Sequence, residues 1–134
     1  MLEDCLAAKR VLDTGYTCVI CYKGMVLTSK KDEVLALVEF IDSKFDFSMF
    51  SACIKNIDKS SAFLFVKLGI KNIFTYNLTK NAKDILDKYE INYRYNELVD
   101  KLNYSNNYDK LDILLNDISD LDNALGKIYE EIKK

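Results

Sequence analysis

The chain has 134 residues, 49% of them apolar, and 19 basic against 21 acidic side chains give a formal net charge of -2. That length suits one core, so we expect a single domain over residues 1–134, and the balanced charge gives no support to nucleic-acid or membrane binding. The apolar runs are far too short to cross a bilayer and the N-terminus lacks the pattern of a signal peptide, so we expect a cytoplasmic protein. The sequence contains no histidine, which removes the commonest general base and metal ligand.

The first third of the chain predicts a helix, a hairpin and a second helix. Apolar residues recur at helical spacing over residues 2–12, and Gly15 supplies a stop. Strands over 17–22 and 25–29 are joined by Lys23-Gly24, a two-residue turn. Asp32 is placed to cap a helix that continues through Ile41.

The middle of the chain predicts a β-α-β unit. A strand near 48–53 precedes a largely apolar helix over 57–68, which ends at Gly69. A continuous apolar strand over 70–76 follows. In such units ligands collect at the strand-to-helix junction.

The last third predicts a helix over 79–89, a strand over 91–95, and a short helix from Asn96 to Leu102. Residues 103–109 have loop composition, and helices follow over 110–118 and 121–132. The alternation of elements predicts an α/β fold, a three-layer α/β/α sandwich with a mixed five-stranded sheet.

Cys18 and Cys21 have the spacing of a redox or zinc motif. They fall in a predicted strand, where side chains three apart point to opposite faces and lie about 10 Å apart along the chain. We therefore expect two buried thiols that share neither a metal nor a disulfide.

The order of elements is similar to the cytidine-deaminase-like fold. The sequence resembles, more closely, a family of small prokaryotic proteins called domain of unknown function 1893, through residues 17–19, 59–70, 85–93 and 98–99. These stretches carry the fold rather than chemistry, so the resemblance implies a cytidine-deaminase-like fold and not an activity.

Zinc deaminases of this fold need a His or Cys beside a Glu after the second strand, and a Cys pair after the third. Here Glu33 could imitate the catalytic Glu, but no ligand precedes it, and Cys53 has no partner thiol. We therefore expect no metal, no cofactor and no zinc-dependent deamination.

Three segments differ from what the family resemblance implies. Residues 54–59 replace an Asp-Lys-x-x-Gly-Lys run, the loop at Lys30-Lys31 is shortened, and residues 109–112 stand near a Cys-Pro-Met-Glu run. Either this member has lost an activity, or the site of the family lies elsewhere.

The junction after the third predicted strand suggests an anion site. Lys55 and Lys59 would share a face at a helix N-terminus, where free N–H groups and the dipole favour negative charge. Ser60 and Ser61 would add hydroxyl donors. The alternative is that Asp58 and Lys59 form a solvated first turn.

Cys53 could act as a nucleophile if it were exposed beside Lys55, although buried cysteines are commoner. The tyrosines Tyr89, Tyr93, Tyr95, Tyr104 and Tyr108 suit packing or dimer contact better than base stacking.

The resulting prediction is a non-catalytic binding or regulatory protein for a nucleotide or another anionic metabolite. The alternatives are a protein-interaction module that forms a homodimer, and an enzyme of unassigned type that uses Cys53. No nucleic-acid partner and no membrane are expected.

Overall fold

The computed structural model describes residues 2–102 and 110–133, which form helices and strands in alternation. Their bounds are α1 Leu2–Leu12, β1 Cys18–Tyr22, β2 Met25–Ser29, α2 Glu33–Asp42, β3 Ser51–Ile57, α3 Lys59–Leu68, β4 Asn72–Thr79, α4 Lys80–Lys88, β5 Asn92–Val99, α5 Leu111–Leu114 and α6 Leu121–Ile132. The predicted loop 103–109, with Tyr104 and Tyr108, lies outside the described residues.

The five strands form one mixed sheet in the order β2-β1-β3-β4-β5. Strand β1 runs antiparallel to its neighbours β2 and β3, whereas β3, β4 and β5 are mutually parallel. The parallel strands are linked through α3 and α4, which is the crossover that parallel pairing requires. The predicted five-stranded mixed sheet with flanking helices is confirmed.

The two faces of the sheet bury different sets of side chains. On one face, the core of α2, α3 and α6 packs on Ile20, Ala52, Ile54 and other strand residues. On the other face, Ala8 and Leu12 of α1 pack on Val19, Cys21 and Cys53. Alternation along β1 and β3 produces this division, because successive strand residues point to opposite faces.

Local sequence chemistry sets most of the element ends. Asp32, Asp58, Thr79 and Asp120 each accept a backbone N–H at the start of a helix, which is the N-cap role. Gly69 closes α3 in the left-handed conformation with φ 77°. The Lys23-Gly24 turn has φ of 46° and 84°, as a tight hairpin between two strands requires.

The third strand lies further along the chain than predicted. Residues 48–50 belong to a turn, in which the Ser48 N–H donates to the Asp46 carboxylate. Strand β3 then continues to Ile57, because Ile54 and Ile57 are both fully buried and pair with β4. The polar residues Lys55 and Asn56 are typical of a loop, so the sequence did not predict that the strand continues through them.

The end of the fifth strand was also predicted wrongly. Asn96 does not cap a helix, because Glu97, Leu98 and Val99 pair in parallel with the last residues of β4. Pairing with a neighbouring strand outweighs the local preference of Asn for a cap. Helix α5 is likewise shorter than the predicted 110–118.

Among residues 2–102 and 110–133, no helix has the length and apolar character needed to cross a membrane.

Candidate functional site

Asp58, the residue just before α3, caps the first turn of that helix. One oxygen of its carboxylate accepts hydrogen bonds from the Ser61 N–H at 3.1 Å, the Ser60 hydroxyl at 2.8 Å and the Ser61 hydroxyl at 3.0 Å. Both serine hydroxyls therefore point at a carboxylate of the same chain. Asp58, Ser60 and Ser61 are all buried.

A second carboxylate reaches the same helix end from α5. Asp112 accepts the backbone N–H of Lys59 and that of Ser60, each at 3.1 Å. The Lys59 ammonium group donates in return to the carbonyls of Leu115 at 2.7 Å and Asn116 at 3.3 Å. We give the name α3–α5 junction to the residues joined by these hydrogen bonds: Asp58, Lys59, Ser60, Ser61, Asp112, Leu115 and Asn116.

The predicted geometry of the anion site is therefore wrong. Lys55 lies in β3 and is exposed, so it shares no helical face with Lys59. Lys59 is only 9% exposed and Asp58 6%, so the alternative of a solvated first turn is wrong as well. The N–H groups of Lys59, Ser60 and Ser61 already donate to carboxylates, and an added anion would meet two negative charges there.

Burial and a neighbouring carboxylate both shift the pKa of Asp112. Burial, followed by the neighbouring charge of Asp58, raises the pKa of Asp112 to about 6, against the lowering effect of the Lys59 and Ser60 N–H groups. The junction thus contains a carboxyl group that titrates close to neutral pH.

A different polar cluster lies at the carboxyl ends of β3 and β4. Asn56 and Asn77 are partners in the parallel register, and the Asn77 side-chain amide donates to Asn56 Oδ1 at 2.9 Å. The Asn56 amide donates in turn to Glu33 Oε2, also at 2.9 Å. We call Glu33, Asn56 and Asn77 the polar row; each is partly exposed.

The direction of the hydrogen bonds in the polar row follows from its acidic end. An ionised Glu33 only accepts, so Asn56 must present its NH₂ to Glu33 and its carbonyl to Asn77. Asn77 must then donate to Asn56, which leaves its own carbonyl oxygen at the outer end. Burial raises the pKa of Glu33, and the Asn56 hydrogen bond opposes that shift.

Cys53, the predicted nucleophile, is fully buried between the sheet and α1. A reactive thiol needs solvent access and a stabilised thiolate, so this position suits packing. Cys18 lies in the α2–α3 core and Cys21 in the α1 cluster, so the two thiols are buried on opposite faces of the sheet, as predicted.

The donors that the deaminase resemblance implies for zinc do not fit a zinc ion. Within the described part of the chain, no three Cys, Asp or Glu side chains are grouped closely enough to hold a metal. Cys53 faces α1, whereas Glu33 lies with Asn56 at the other face of the sheet.

The described tyrosines are engaged in packing. The Tyr93 and Tyr95 rings stack with centroids 6.3 Å apart, and the Tyr93 hydroxyl donates to Asp87 at 2.6 Å. Tyr89 packs against the main core. Their role in dimer contact stays a prediction.

Three of the residues just described could not be chosen from the sequence alone. Asn56 and Asn77 look like ordinary polar strand ends, and only the parallel register places them side by side. Asp112 is 53 residues away from Lys59 along the chain. The one indication was its position at the end of 109–112, the run where the family resemblance implied functional residues.

Comparison with known proteins places this fold in a described family. The sequence order of elements and the β2-β1-β3-β4-β5 sheet define a mixed α/β protein in which two parallel strands, β3 and β4, carry the asparagines of the polar row. The family described as domain of unknown function (DUF1893) matches residues 6–123. The chain belongs to this family.

Among solved structures, the chain is similar to the crystal structure of a DUF1893 family protein from Thermotoga maritima. The TM-score is 0.83 at 15% sequence identity, over 96% of this chain and 90% of that one. At that identity the likeness establishes the shared fold. No curated protein matches the sequence.

Proposed function

We propose that the protein binds a small, flat, nitrogen-containing molecule without transforming it, and that the polar row is the site. The observation that carries the proposal is the fixed direction of the Glu33–Asn56–Asn77 hydrogen bonds. This direction leaves one acceptor and one remaining amide N–H of Asn77 for a ligand.

The location supports a binding role. Ligands of open α/β sheets collect beyond the carboxyl ends of parallel strands, where loops from neighbouring strands converge. Asn77 is itself partly exposed, so a ligand in solvent can reach its side chain.

The charges around the row favour a ligand without negative charge. The carboxylates of Asp32 and Asp58 both act on Glu33, in the direction that raises its pKa. A phosphate would be repelled, whereas a ligand N–H group would find acceptors. Asn and acidic side chains are also those that contact the amino groups of nucleobases. The predicted nucleotide would thus be held here by its base and not by its phosphate.

A binding role also agrees with the small number of side chains that could act as general bases or nucleophiles. The chain lacks histidine, and Cys53 is fully buried. Glu33 is held by Asn56 in a row whose geometry depends on that carboxylate. These residues suit recognition, or a regulatory response to a ligand, better than proton transfer.

The test is a titration of the isotope-labelled protein with cytosine and with adenine, followed by amide chemical shifts. We expect Asn77→Leu to weaken binding by about tenfold or more, since the hydrogen bonds between the Asn77 side chain and the ligand are lost. Glu33→Gln should retain binding, because a Gln oxygen can still accept from Asn56, whereas Glu33→Leu should weaken it.

The matched control is Asn92→Leu, which changes an exposed Asn at the start of β5, at the end of the sheet away from the polar row. Analogues with a dimethylated exocyclic amino group should bind at least tenfold more weakly than the parent bases. Equal binding of the dimethylated analogues, or unchanged binding by Asn77→Leu, would contradict the proposal.

The alternative of an interaction module also has one specific observation in its favour. On α5, the neighbouring side chains of Ile113 and Leu114 are 76% and 42% exposed. Exposed apolar side chains of this size are common in protein contacts. Light scattering over a range of concentrations tests it: a dimer that Ile113→Asp converts to a monomer would favour the interaction module.

A further inference from the structure

The sheet face that carries α1 is only partly covered by that helix. Helix α1 packs mainly on β1 and β3 and reaches only part of β4. Phe74 and Tyr76 of β4 are partly buried against the α1 cluster, and β5 lies beyond them at the edge of the sheet. Beside α1 there is thus a strip of sheet that ends in exposed residues.

Two aromatic rings form the centre of this strip. The Phe74 and Tyr76 rings meet edge to face with centroids 5.1 Å apart. The Lys9 ammonium group of α1 lies 5.2 Å from the Phe74 centroid and 5.6 Å from the Tyr76 centroid. The rings therefore already interact with a cation on a long, flexible side chain.

Two further cations flank the rings from the neighbouring strands. Arg94 is the register partner of Phe74 in β5, so both side chains leave the sheet on the same face. Lys55 lies two residues after Cys53 in β3, so its side chain leaves the sheet on the same, α1-facing side. It lies level with Tyr76, because Ile54 pairs with Thr75 and Asn56 pairs with Asn77. Lys55 and Arg94 are both exposed.

An acidic side chain, that of Asp13, also lies at this face. The Tyr76 hydroxyl donates to Asp13, just after the end of α1. That hydrogen bond raises the pKa of Tyr76 to about 12, so the phenol stays neutral and fixed in place. Among the described residues named here, the three cations Lys9, Lys55 and Arg94 outnumber the one carboxylate of Asp13, in a chain whose net charge is -2.

We propose that this face, defined by Lys9, Lys55, Phe74, Tyr76 and Arg94, binds a free mononucleotide. A flat base matches the aromatic pair, and a phosphate matches the lysines and the guanidinium group. Lys9 would move from the rings to the phosphate. The overall acidic chain disfavours a long polyanion, so the ligand is a single nucleotide and not a nucleic-acid strand.

This inference is independent of the proposed function, because the polar row lies on the other face of the sheet and holds no cation. Different substitutions also test the two sites separately. Asn77→Leu changes the polar row alone, whereas Arg94→Gln and Lys55→Gln change the cationic face alone.

The experiment is calorimetric titration of the whole chain with adenosine monophosphate, adenosine and ribose 5-phosphate. We expect the nucleotide to bind at least tenfold more tightly than either fragment, since only it engages both the rings and the cations. Lys55→Gln and Arg94→Gln should each weaken nucleotide binding by roughly tenfold, because each removes a charge-assisted contact. Binding should also weaken as salt is added.

The control is Lys127→Gln, which removes an exposed lysine of α6 and should leave binding unchanged. Amide shifts at Phe74, Tyr76 and Arg94 should locate the bound nucleotide. The inference is overturned if adenosine binds as tightly as the nucleotide, or if Lys55→Gln and Arg94→Gln match Lys127→Gln. Tighter binding per nucleotide of a short single-stranded oligonucleotide would also overturn it.

Discussion

Lys59 and Asp112 join α3 to α5 in both directions. The Asp112 carboxylate accepts the Lys59 backbone N–H at 3.1 Å, and the Lys59 ammonium group donates to the Leu115 carbonyl at 2.7 Å, at the end of α5. A residue far along the chain therefore supplies acceptors that the N-terminus of a buried helix needs. Lys59, which was predicted to bind a ligand, therefore holds two helices together instead.

Asp112→Ala should lower the free energy of unfolding by about 1–3 kcal/mol, because two backbone N–H groups at the start of α3 lose their acceptors. Urea unfolding followed by circular dichroism measures the change. Asp117→Ala is the control, since Asp117 is exposed and is expected to change stability by less than about 0.5 kcal/mol. Equal effects of the two substitutions would show that the Asp112 contacts are not formed in solution.

The stability of the protein should depend on the titration of Asp112. Its folded-state pKa of about 6 lies above the ordinary value of 3.8. The folded state then binds the proton more tightly than the unfolded state, so this contribution is present below pH 3.8 and is lost as the pH rises through 6.

We therefore expect the stability of the native protein, relative to Asp112→Asn, to fall between pH 4 and pH 7. Unfolding curves of both proteins over that range provide the comparison, and the neutral Asn removes the titration. A relative stability that rises over the same range, or an Asp112 carboxyl that titrates near 3.8 by NMR, would refute the assignment.

The two lysines of the predicted anion site should differ in their effect on stability. Lys59→Ala leaves the carbonyls of Leu115 and Asn116 without their donor and should cost about 1–3 kcal/mol. Lys55→Ala removes an exposed strand side chain and should change stability by less than about 0.5 kcal/mol. Chemical denaturation of the pair tests this; a harmless Lys59→Ala would restore the solvated-turn interpretation.

The three thiols described in the core should be unreactive in the native state. Cys18, Cys21 and Cys53 are all buried, and burial raises the pKa of Cys18. In a Cys5→Ser background, a thiol reagent should label the protein slowly when native and label three thiols per chain once it is unfolded. Rapid native labelling of Cys53 would instead support the catalytic alternative.

The sequence was sufficient for the order of elements as far as β5, because hydrophobic periodicity and caps are local properties. Asp32 caps α2 and Gly69 ends α3 as predicted, and Lys23-Gly24 makes the hairpin turn. The continuous apolar character of β4 likewise predicted a central strand, although its bounds move to Asn72–Thr79.

The site was less predictable, because its contacts depend on register and on distant residues. Ending β3 at Cys53 placed Lys55 in the junction before a helix, about one helical turn from Lys59, whereas pairing with β1 and β4 extends the strand to Ile57. That shift separates Lys55 from Lys59 and brings Asn56 beside Asn77. Interactions between distant segments made both differences, and no local pattern encodes them.

The central claim, that the polar row and not the α3 N-terminus receives a ligand, has a direct test in the amide spectrum of the labelled protein. On titration with cytosine, the account predicts shifts of the side-chain amide signals of Asn77 and Asn56. On titration with inorganic phosphate, it predicts no shift of the backbone amides of Lys59, Ser60 and Ser61, since these donate to Asp112 and Asp58. The opposite pattern, in which phosphate shifts the α3 amides and cytosine leaves Asn77 unchanged, would contradict the account.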